Sequence, residues 1–500
     1  MLNSGMGADG KESNAEEGPS YKLPGGVNLI EKKSGLYLIR ENPLSTIELN
    51  RVWKPVFDRL SKGRFIPFKE LHPLVNASFD RTEIYLNSLV RKGFLKTRGY
   101  RELDNYPFVT VIIPVRNRPD EVSECLSSLE KLDYPSDKLE IVVVDDASDD
   151  STPEIVSGFP VRLIKNTERM QASYCRNRGA EEAKGEILAF LDSDCTAHPL
   201  WLKELVPGFD DNTNGAVGGK VDSRFDKKII DRYENVSSSL NMGERSRSSK
   251  EEGNFFYLPA CNLLVKKDIF LNLGGFNIKL NIGEDVDFCW RLSNRGFEIE
   301  YRPNGTVFHR HRNKTGAFFI RRFQYGTSEP FLQKKHPDRF KVMFYVPMPM
   351  LFWFAVFITL LTGYYFLLLP CGIILLLDAT HKWIPVKKKD LPLKYSQILP
   401  AVFRGYFVSI YYWCAFFSRY YLITAFLFLL IFPALSLVLF INHIVISFCE
   451  FFIKKPSTGI QGFIYYFTID QLAYQLGVWY GCFKYLSFNP VNPKISRYTA

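Results

Sequence analysis

Two long stretches of this 500-residue chain hold no Asp, Glu, Lys or Arg: residues 342–377 and residues 420–449. Each exceeds the roughly 20 apolar residues that span a bilayer. A soluble core helix seldom stays uncharged for so long, so membrane contact is expected. Four prolines (Pro347, Pro349, Pro370 and Pro433) fall inside these runs. They are expected to break them into short, tilted or re-entrant pieces, which leaves the number of crossings open. The first 20 residues lack any apolar stretch of signal-peptide type and read as a disordered polar lead-in. The nine cysteines are odd in number and include no Cys-x-x-Cys pair, so neither a disulfide framework nor a zinc cluster is supported. A reducing cytoplasm fits that usage. No internal repeat is visible.

Charge is placed as unevenly as apolarity. Residues 342–500 contain 12 Lys or Arg against 4 Asp or Glu, a net +8 out of the chain's +10. Lys387, Lys388 and Lys389 lie between the two uncharged runs, and Lys454 and Lys455 follow the second. Cations that flank apolar segments suit an anionic cytoplasmic leaflet, and a solvated basic linker is the plainer alternative. Nucleic-acid binding is disfavoured, because these cations do not cluster on a soluble module. Residues 342–490 therefore read as a membrane-associated helical region, expected to bind lipid without serving donor chemistry.

Ahead of that tail the chain divides in two. Residues 21–98 form a small module. GLYLIRENP reads as a strand ending in a proline turn, and Val52, Val56 and Leu60 recur at helical spacing before Gly63. In DRTEIYLNSLVRKG, Asp80 is a candidate N-cap with Glu83 completing a capping box, and Ile84, Leu86, Leu89 and Val90 supply apolar bulk. FLKT then reads as a short strand. Helices followed by a strand suggest a winged-helix-like domain, which resembles the PqqD-like modules that bind leader peptides. A packing domain without a ligand is the plainer reading. On the first, an extended peptide adds to a strand edge around GLYLIR.

Residues 105–335 make the next domain, and residues 108–194 of it alternate strand and helix. VTVIIPV and IVVVDD are buried-type strands about 30 residues apart, as a βαβ unit requires. VRLIKN is a third strand, QASYCRNRGAEEAKG a helix and EILAFLDSD a fourth strand. This is a doubly wound, Rossmann-like α/β half, and ligands of such sheets sit at the carboxyl ends of the strands. Those ends carry Pro114, Arg116 and Asn117, then Asp145 and Asp146, then Asp192 and Asp194. One carboxylate pair at a strand end explains itself as a helix cap. Three polar ends on one sheet edge do not. An Asp-x-Asp pair leaving a strand presents oxygen ligands to Mg2+ or Mn2+, and such an ion neutralises the diphosphate of a nucleotide sugar, which bare carboxylates repel.

VTVIIPVRNRPDEVSECLSSL, IVVVDDASDDST, ILAFLDSD, LPACNLLVKKDIFLNLGGFN and GEDVDFCWRLSNRG follow in the order and spacing of the family-2 glycosyltransferases, and residues 108–312 resemble that family of GT-A fold. The resemblance implies that Asp145 and Asp146 lie near the nucleoside, that Asp192 and Asp194 form the metal motif, and that Asp285 is the general base. It extends the donor set to Pro114, Arg116, Asn117 and Asp192. An inverting transfer does need one carboxylate on the acceptor side of the sugar. Capping of the following helix is the alternative for Asp285. Glu284, Trp290 and Arg291 share its segment and are candidates for contact with acceptor or diphosphate.

Other assignments stay open. His309 and His311 alternate in VFHRHR; His309 either completes the metal shell or serves a structural or phosphate-contacting role. Arg310, Arg312, Arg321 and Arg322 are candidates for the diphosphate. Gly218, Gly219 and Lys220 admit substrate closely or form a plain turn. Residues 243–253 read as a mobile polar loop, with a lid as the sharper alternative.

The whole chain is also similar to the mycofactocin-system glycosyltransferases, which join a PqqD-like front domain, a family-2 domain, the run RRFQYGTSEPFLQKKHP and a hydrophobic tail with DQLAYQLGVWYGCFK. That resemblance implies UDP-glucose as donor and a small peptide-derived acceptor, and the uncharged runs with their flanking lysines place the enzyme at the cell membrane, facing the cytoplasm. The Gln-x-x-Arg-Trp motif of processive polysaccharide synthases is replaced by RRFQYG. A membrane polysaccharide or lipid-linked sugar synthase remains the second reading, and a non-catalytic sugar- or peptide-binding protein the third.

Overall fold

The computed structural model describes residues 18–253 and 255–497. Residues 1–17 of the expected lead-in lie outside the described residues, and Ser20 already opens a strand. The front module holds two small sheets. Ser20–Lys22 pairs with Ile66–Pro67 and Lys96–Arg98, and Val27–Lys32, Gly35–Glu41 and Leu44–Leu49 form a meander. Tyr21, Leu36, Leu38, Val56, Phe57, Leu60, Leu86 and Leu89 close its core. Two expectations fail here. The helix Phe79–Arg91 is capped by Ser78, whose hydroxyl accepts from the Arg81 N–H, so Asp80 falls in the first turn. GLYLIR is the central strand of its meander, paired on both sides, so its edge is closed to a peptide; the outer strands are Val27–Lys32 and Leu44–Leu49.

The central domain is the α/β unit read from the sequence. Its strands are β1 (Val109–Val115), β2 (Leu139–Asp145), β3 (Arg162–Lys165), β4 (Ile187–Leu191), β5 (Cys195–Ala197), β6 (Asn214–Ser223), β7 (Asn262–Lys266) and β8 (Glu298–His309). They lie in the order β5-β8-β6-β7-β4-β1-β2-β3. β1 runs parallel to β2 and β4, and β2 parallel to β3; β7 is antiparallel to both its neighbours. Every residue of β1 and β4 is buried, as a sheet covered on both faces demands. The helices that matter below are α1 (Pro119–Leu129), α2 (Gln171–Glu182), α3 (Ile229–Ser237), α4 (Glu284–Asn294) and α5 (Thr315–Lys335). The architecture is a GT-A-like mixed sheet in which β3, β2, β1 and β4 run parallel.

Two segments differ from expectation, and the first, Gly218 to Lys220, lies within β6. A Cβ on Gly219 would lie 1.6 Å from the Gly305 carbonyl oxygen, and one on Gly218 2.7 Å from that of Asn262. The close approach these glycines permit is thus to β8 and β7, while Lys220 pairs with Asp222 and Glu244. Residues 243–253 are tied down: Arg247–Ser248 adds to β8, Ser249–Glu252 is a helical turn, and Glu252 holds Arg245 and Arg247.

The tail forms α6 (Pro347–Thr362), α7 (Leu368–Lys388), α8 (Tyr395–Leu427), α9 (Pro433–Lys454) and α10 (Ile460–Tyr485). Its prolines start helices more than they break them. Pro347, Pro349, Pro370 and Pro433 all sit in first turns, where a missing N–H costs nothing. Tyr365–Lys388 and Pro433–Lys454 are long and apolar enough to cross a membrane. The last helix is no detachable anchor. α10 lies along α5 with backbones in contact: a Cβ on Gly326 would sit 2.0 Å from the Tyr474 oxygen, and one on Gly477 1.9 Å from that of Phe323. Arg322, buried, bridges Glu234 of α3 and Asp470 of α10. Glu329 of α5 gathers Lys341, Tyr420 and Tyr474. The tail therefore completes the core behind α5.

Candidate active site

The carboxyl ends of β1, β2 and β4 meet at one edge of the sheet, as β1 pairs in register with both neighbours. The loops leaving this edge are held in costly backbone conformations. Asn117, Ala147 and Gln171 all adopt left-handed φ (48°, 55° and 74°), which non-glycine residues adopt at a cost and which concentrates at functional loops. Asn117 locks two of these loops together, because its amide exchanges hydrogen bonds with Asp149 while its N–H donates to the Ser148 hydroxyl.

Asp145 and Asp146 are buried and occupied. Asp145 accepts from the Ser148 N–H and hydroxyl. Asp146 accepts from Asn166 and from the N–H groups of Met170 and Gln171 at the start of α2. Burial opposes its ionisation, but these donors hold its carboxyl below the usual value. Both side chains fix the loops that follow β2 and β3. Pro114 is buried within β1, and one guanidinium nitrogen of Arg116 is buried without a hydrogen-bond partner among the described residues.

The turn Asp192-Ser193-Asp194 joins β4 to β5, and β5 runs antiparallel against the end of β8 with Cys195 opposite His309. That register delivers His309 to the turn. Its Nε2 lies 3.5 Å from Asp194 Oδ1, an oxygen with no hydrogen-bond donor among the described residues. Ligand atoms of Asp194, Cys195 and His309 fall within 4.8 Å of one another. Burial pushes the Cys195 thiol well above its ordinary pKa, so the groups suited to a hard cation are the carboxylate and the imidazole. Burial opposes ionisation of Asp194 too, yet His309 and Arg118 hold it below the usual carboxylate range. Arg118 meets Asp194 Oδ2 at 2.5 Å. His311 Nδ1 lies 3.2 Å from His309 Nδ1, and burial, reinforced by His309 and Arg322, pushes its pKa down to about 3.

Across the site, Gly283 in left-handed φ starts α4, and Glu284, Asp285 and Asp287 fill its first turn, where the helix dipole favours negative charge. Asp285 is inside the helix and is not its cap. Its carboxylate accepts from the Ala260 N–H at 3.2 Å and from the Val286 N–H. Burial raises its pKa above the ordinary aspartate value, and burial plus the Asp285 charge lifts Glu284 to about 7. Between the halves stands Arg176 of α2, only 4% exposed, which meets Asp192 at 2.5 Å and Glu284 at 2.9 Å. Nothing in the RNRG stretch marks it from sequence, and only the packing of α2 between the end of β4 and the head of α4 reveals it.

The other candidates separate. Arg321 lies within electrostatic reach of Asp192 and Glu284. Arg312 is exposed, faces Arg321, Arg118 and Asp194, and has no ion pair among the described residues. Arg322 belongs to the tail junction, and Arg310 pairs with Glu121 and Glu124. Arg291 is spent on Asp287 and on the carbonyls of Leu273 and Gly275. Trp290 is buried against Leu280 and Leu332, edge-on to His336. These four build the scaffold. A cleft of about 870 Å³ opens on the opposite sheet edge, lined by Pro107, Lys184 and Lys267 among others, and contains none of the site's carboxylates.

Residues 110–274 match the family described as Glycosyl transferase family 2. The chain is similar to a pre-mycofactocin glycosyltransferase of Mycobacterium tuberculosis, 25% identical over 398 residues that cover 77% of this chain and 82% of that protein. It is similar to glycosyltransferase AglE of Haloferax volcanii, 34% identical over 202 residues, 39% of this chain and 64% of that protein. Among solved structures it is similar to the mannosyltransferase PcManGT from Pyrobaculum calidifontis in complex with GDP-Man and Mn2+, at 20% identity and a TM-score of 0.39 over 66% of this chain and 93% of that one. Residues 110–274 are a family-2 glycosyltransferase domain, set in a chain similar along 77% of its length to pre-mycofactocin glycosyltransferases.

Proposed function

We propose that this glycosyltransferase is an inverting, cation-dependent hexosyltransferase that takes a sugar from a nucleotide donor, UDP-glucose, and passes it to a small peptide-derived acceptor at the cytoplasmic face of the cell membrane. The observation that carries this reading is the Arg176 bridge, which puts the Asp192–Asp194 turn and the head of α4 into one site. The donor-free Oδ1 of Asp194, faced by His309, suits Mg2+ or Mn2+, and Asp192 completes the acidic face toward the diphosphate. When bound, the cation neutralises charge on the leaving diphosphate.

The chain's own groups do the rest. Arg312 and Arg321 crowd one another beside the carboxylates, an arrangement that gains from an anion between them, and they hold diphosphate oxygens. Asp285 takes the proton of the attacking acceptor hydroxyl, and its raised pKa makes it a stronger base than an exposed aspartate. Arg176 keeps Glu284 and Asp192 in register. The front module acts on the acceptor side. The similarity to the Mycobacterium protein supports the peptide-derived acceptor. A lipid-linked acceptor is the second reading, favoured by the apolar turns of the tail.

Purified protein with Mn2+ and a panel of nucleotide sugars tests the proposal through donor hydrolysis and transfer. Asp194→Ala, and wild type in excess chelator, should both lose transfer; full activity in chelator would remove the cation from the mechanism.

A further inference from the structure

Either span-length helix, taken alone, reads as a membrane crossing. Their setting argues otherwise. α9 runs beside α8 and α10, with His443 bonded to Ser418 and Thr468, Asn442 to the Cys414 carbonyl, and Phe440 edge-on to Phe426. α10 in turn lies on α5 from Phe463, clustered with Phe318, to Tyr485, whose carbonyl accepts from Lys334. α9 ends at Lys454, which donates to Ser237 of α3. From His443 to Lys454, α9 is thus packed beside the helix that carries Arg321 and Lys334, and the ten residues of α9 before His443 span only about 15 Å. It cannot traverse a bilayer without taking the catalytic domain with it.

α6 and α7 form a hairpin whose two ends also return to one body. α6 follows Val342–Tyr345, which pairs with Lys494–Arg497, and just past α7 Asp390 meets Lys32 and Ser34 of the front module. At 16 residues α6 is about 24 Å long, short of the roughly 30 Å hydrocarbon core.

The two turns are built for lipid. Residues 360–369 and 426–435 contain no charge. Leu360, Tyr365 and Leu369 are exposed at 77%, 75% and 72%, and Leu430 at 94%. Seven of their backbone N–H groups bond within the turns or to the helix ends beside them. The N–H groups of Gly363, Tyr365 and Leu367 bond to Thr359, Gly363 and Tyr364, and those of Phe428, Leu429, Ile431 and Phe432 bond to Thr424, Phe426 and Phe428. Hydrocarbon demands this of any turn it surrounds, and water does not. A turn emerging into water on the far side would carry polar residues. Lys387, Lys388, Lys389, Lys454 and Lys455 all sit at the opposite, body-side ends of α7 and α9, where anionic headgroups lie.

We propose that neither helix crosses: the chain enters one leaflet from one side, with the turns 360–369 and 426–435 and the exposed faces of α7 and α9 embedded in lipid hydrocarbon. This rests on the membrane placement in the proposed function. Donor and acceptor then approach from the same side, and no conduit through the bilayer exists for a product.

The test uses the full chain and vesicles of phosphatidylcholine with phosphatidylglycerol. Wild type should float with vesicles after a high-salt wash; failure to float would remove the membrane placement itself. In vesicle-bound Tyr365→Cys and Leu430→Cys, an impermeant maleimide on either side of the bilayer should label no more than wild type until detergent is added. Labelling from the lumen would restore a crossing and overturn the one-sided insertion alone. Leu369→Asp combined with Leu430→Asp should lower vesicle partitioning about tenfold or more, with donor hydrolysis in detergent unchanged. Unchanged partitioning, or concentration-dependent dimers in place of lipid binding, would also overturn it.

Discussion

Asp285 and Asp287 sit two residues apart on α4 in opposite electrical surroundings. Burial raises the pKa of Asp285, whereas Asp287, fully buried, is ringed by His336, Lys335 and Arg291, which overcome burial and hold it at about 2. A carboxylate whose folded pKa is raised weakens the fold as pH climbs through that value. Asp285→Asn should therefore raise the melting temperature at neutral pH while turnover falls by about 100- to 10,000-fold, with donor affinity kept. Lost donor binding would make Asp285 a donor ligand. Wild-type turnover should rise with pH along an acid limb lying above the ordinary aspartate value of about 3.9. Asp287 has the reverse sign: its stabilisation is present above about 3.9 and is lost as pH falls through about 2. Asp287→Asn leaves Arg291 and Lys335 short of their charged partner and should cost roughly 3–5 kcal/mol by denaturant unfolding.

At the scale of elements, the crossing of α5 and α10 decides how the tail meets the enzyme. Gly326 and Gly477 let the helices touch backbone to backbone, and Arg322 and Glu329 supply the polar ties beside that contact. Gly477→Leu has no room to relax, since its neighbour is the Phe323 carbonyl and not a flexible side chain. It should destabilise the protein by about 3 kcal/mol or more, at the upper end of overpacking costs. Surface Gly459→Ala, with nothing within 4 Å of its Cβ, should be near neutral in the same thermal melt. Equal melting temperatures for the two variants would mean that the helices do not meet so closely.

For the molecule as a whole, the tail belongs to the catalytic unit. A chain ended after residue 341 would uncover the apolar and ionic face of α5, leaving Arg322 without Asp470 and Glu329 without Tyr420 and Tyr474. It should aggregate or lose donor hydrolysis, and a soluble, active truncation would show the tail to be dispensable. The front module touches both other parts, through Arg91 with Glu251 and Glu300 and through Lys32 with Asp390. Lys32–Asp390 is an exposed pair of small worth, whereas Arg91–Glu300 is largely buried, so removal of the module should disturb the sheet, though less than removal of the tail.

The alternation of buried strands with amphipathic helices, and the polar ends of β1, β2 and β4, were determined by sequence alone, because period and strand-end chemistry are local properties. So were the uncharged runs, since bilayer length is a count along the chain. Tertiary structure decided what depends on register and crossing. His309 reaches Asp194 because β5 pairs against the end of β8, and Arg176 joins two motifs more than 90 residues apart because α2 lies between them. Adjacent arginines part company for the same reason: a step of one residue on a helix turns the side chain by about 100°, so Arg321 faces the site while Arg322 faces α10. Gly218 and Gly219, read as a place for substrate or as a plain turn, proved to be places for backbone, because a close approach has no sequence signature that names its partner.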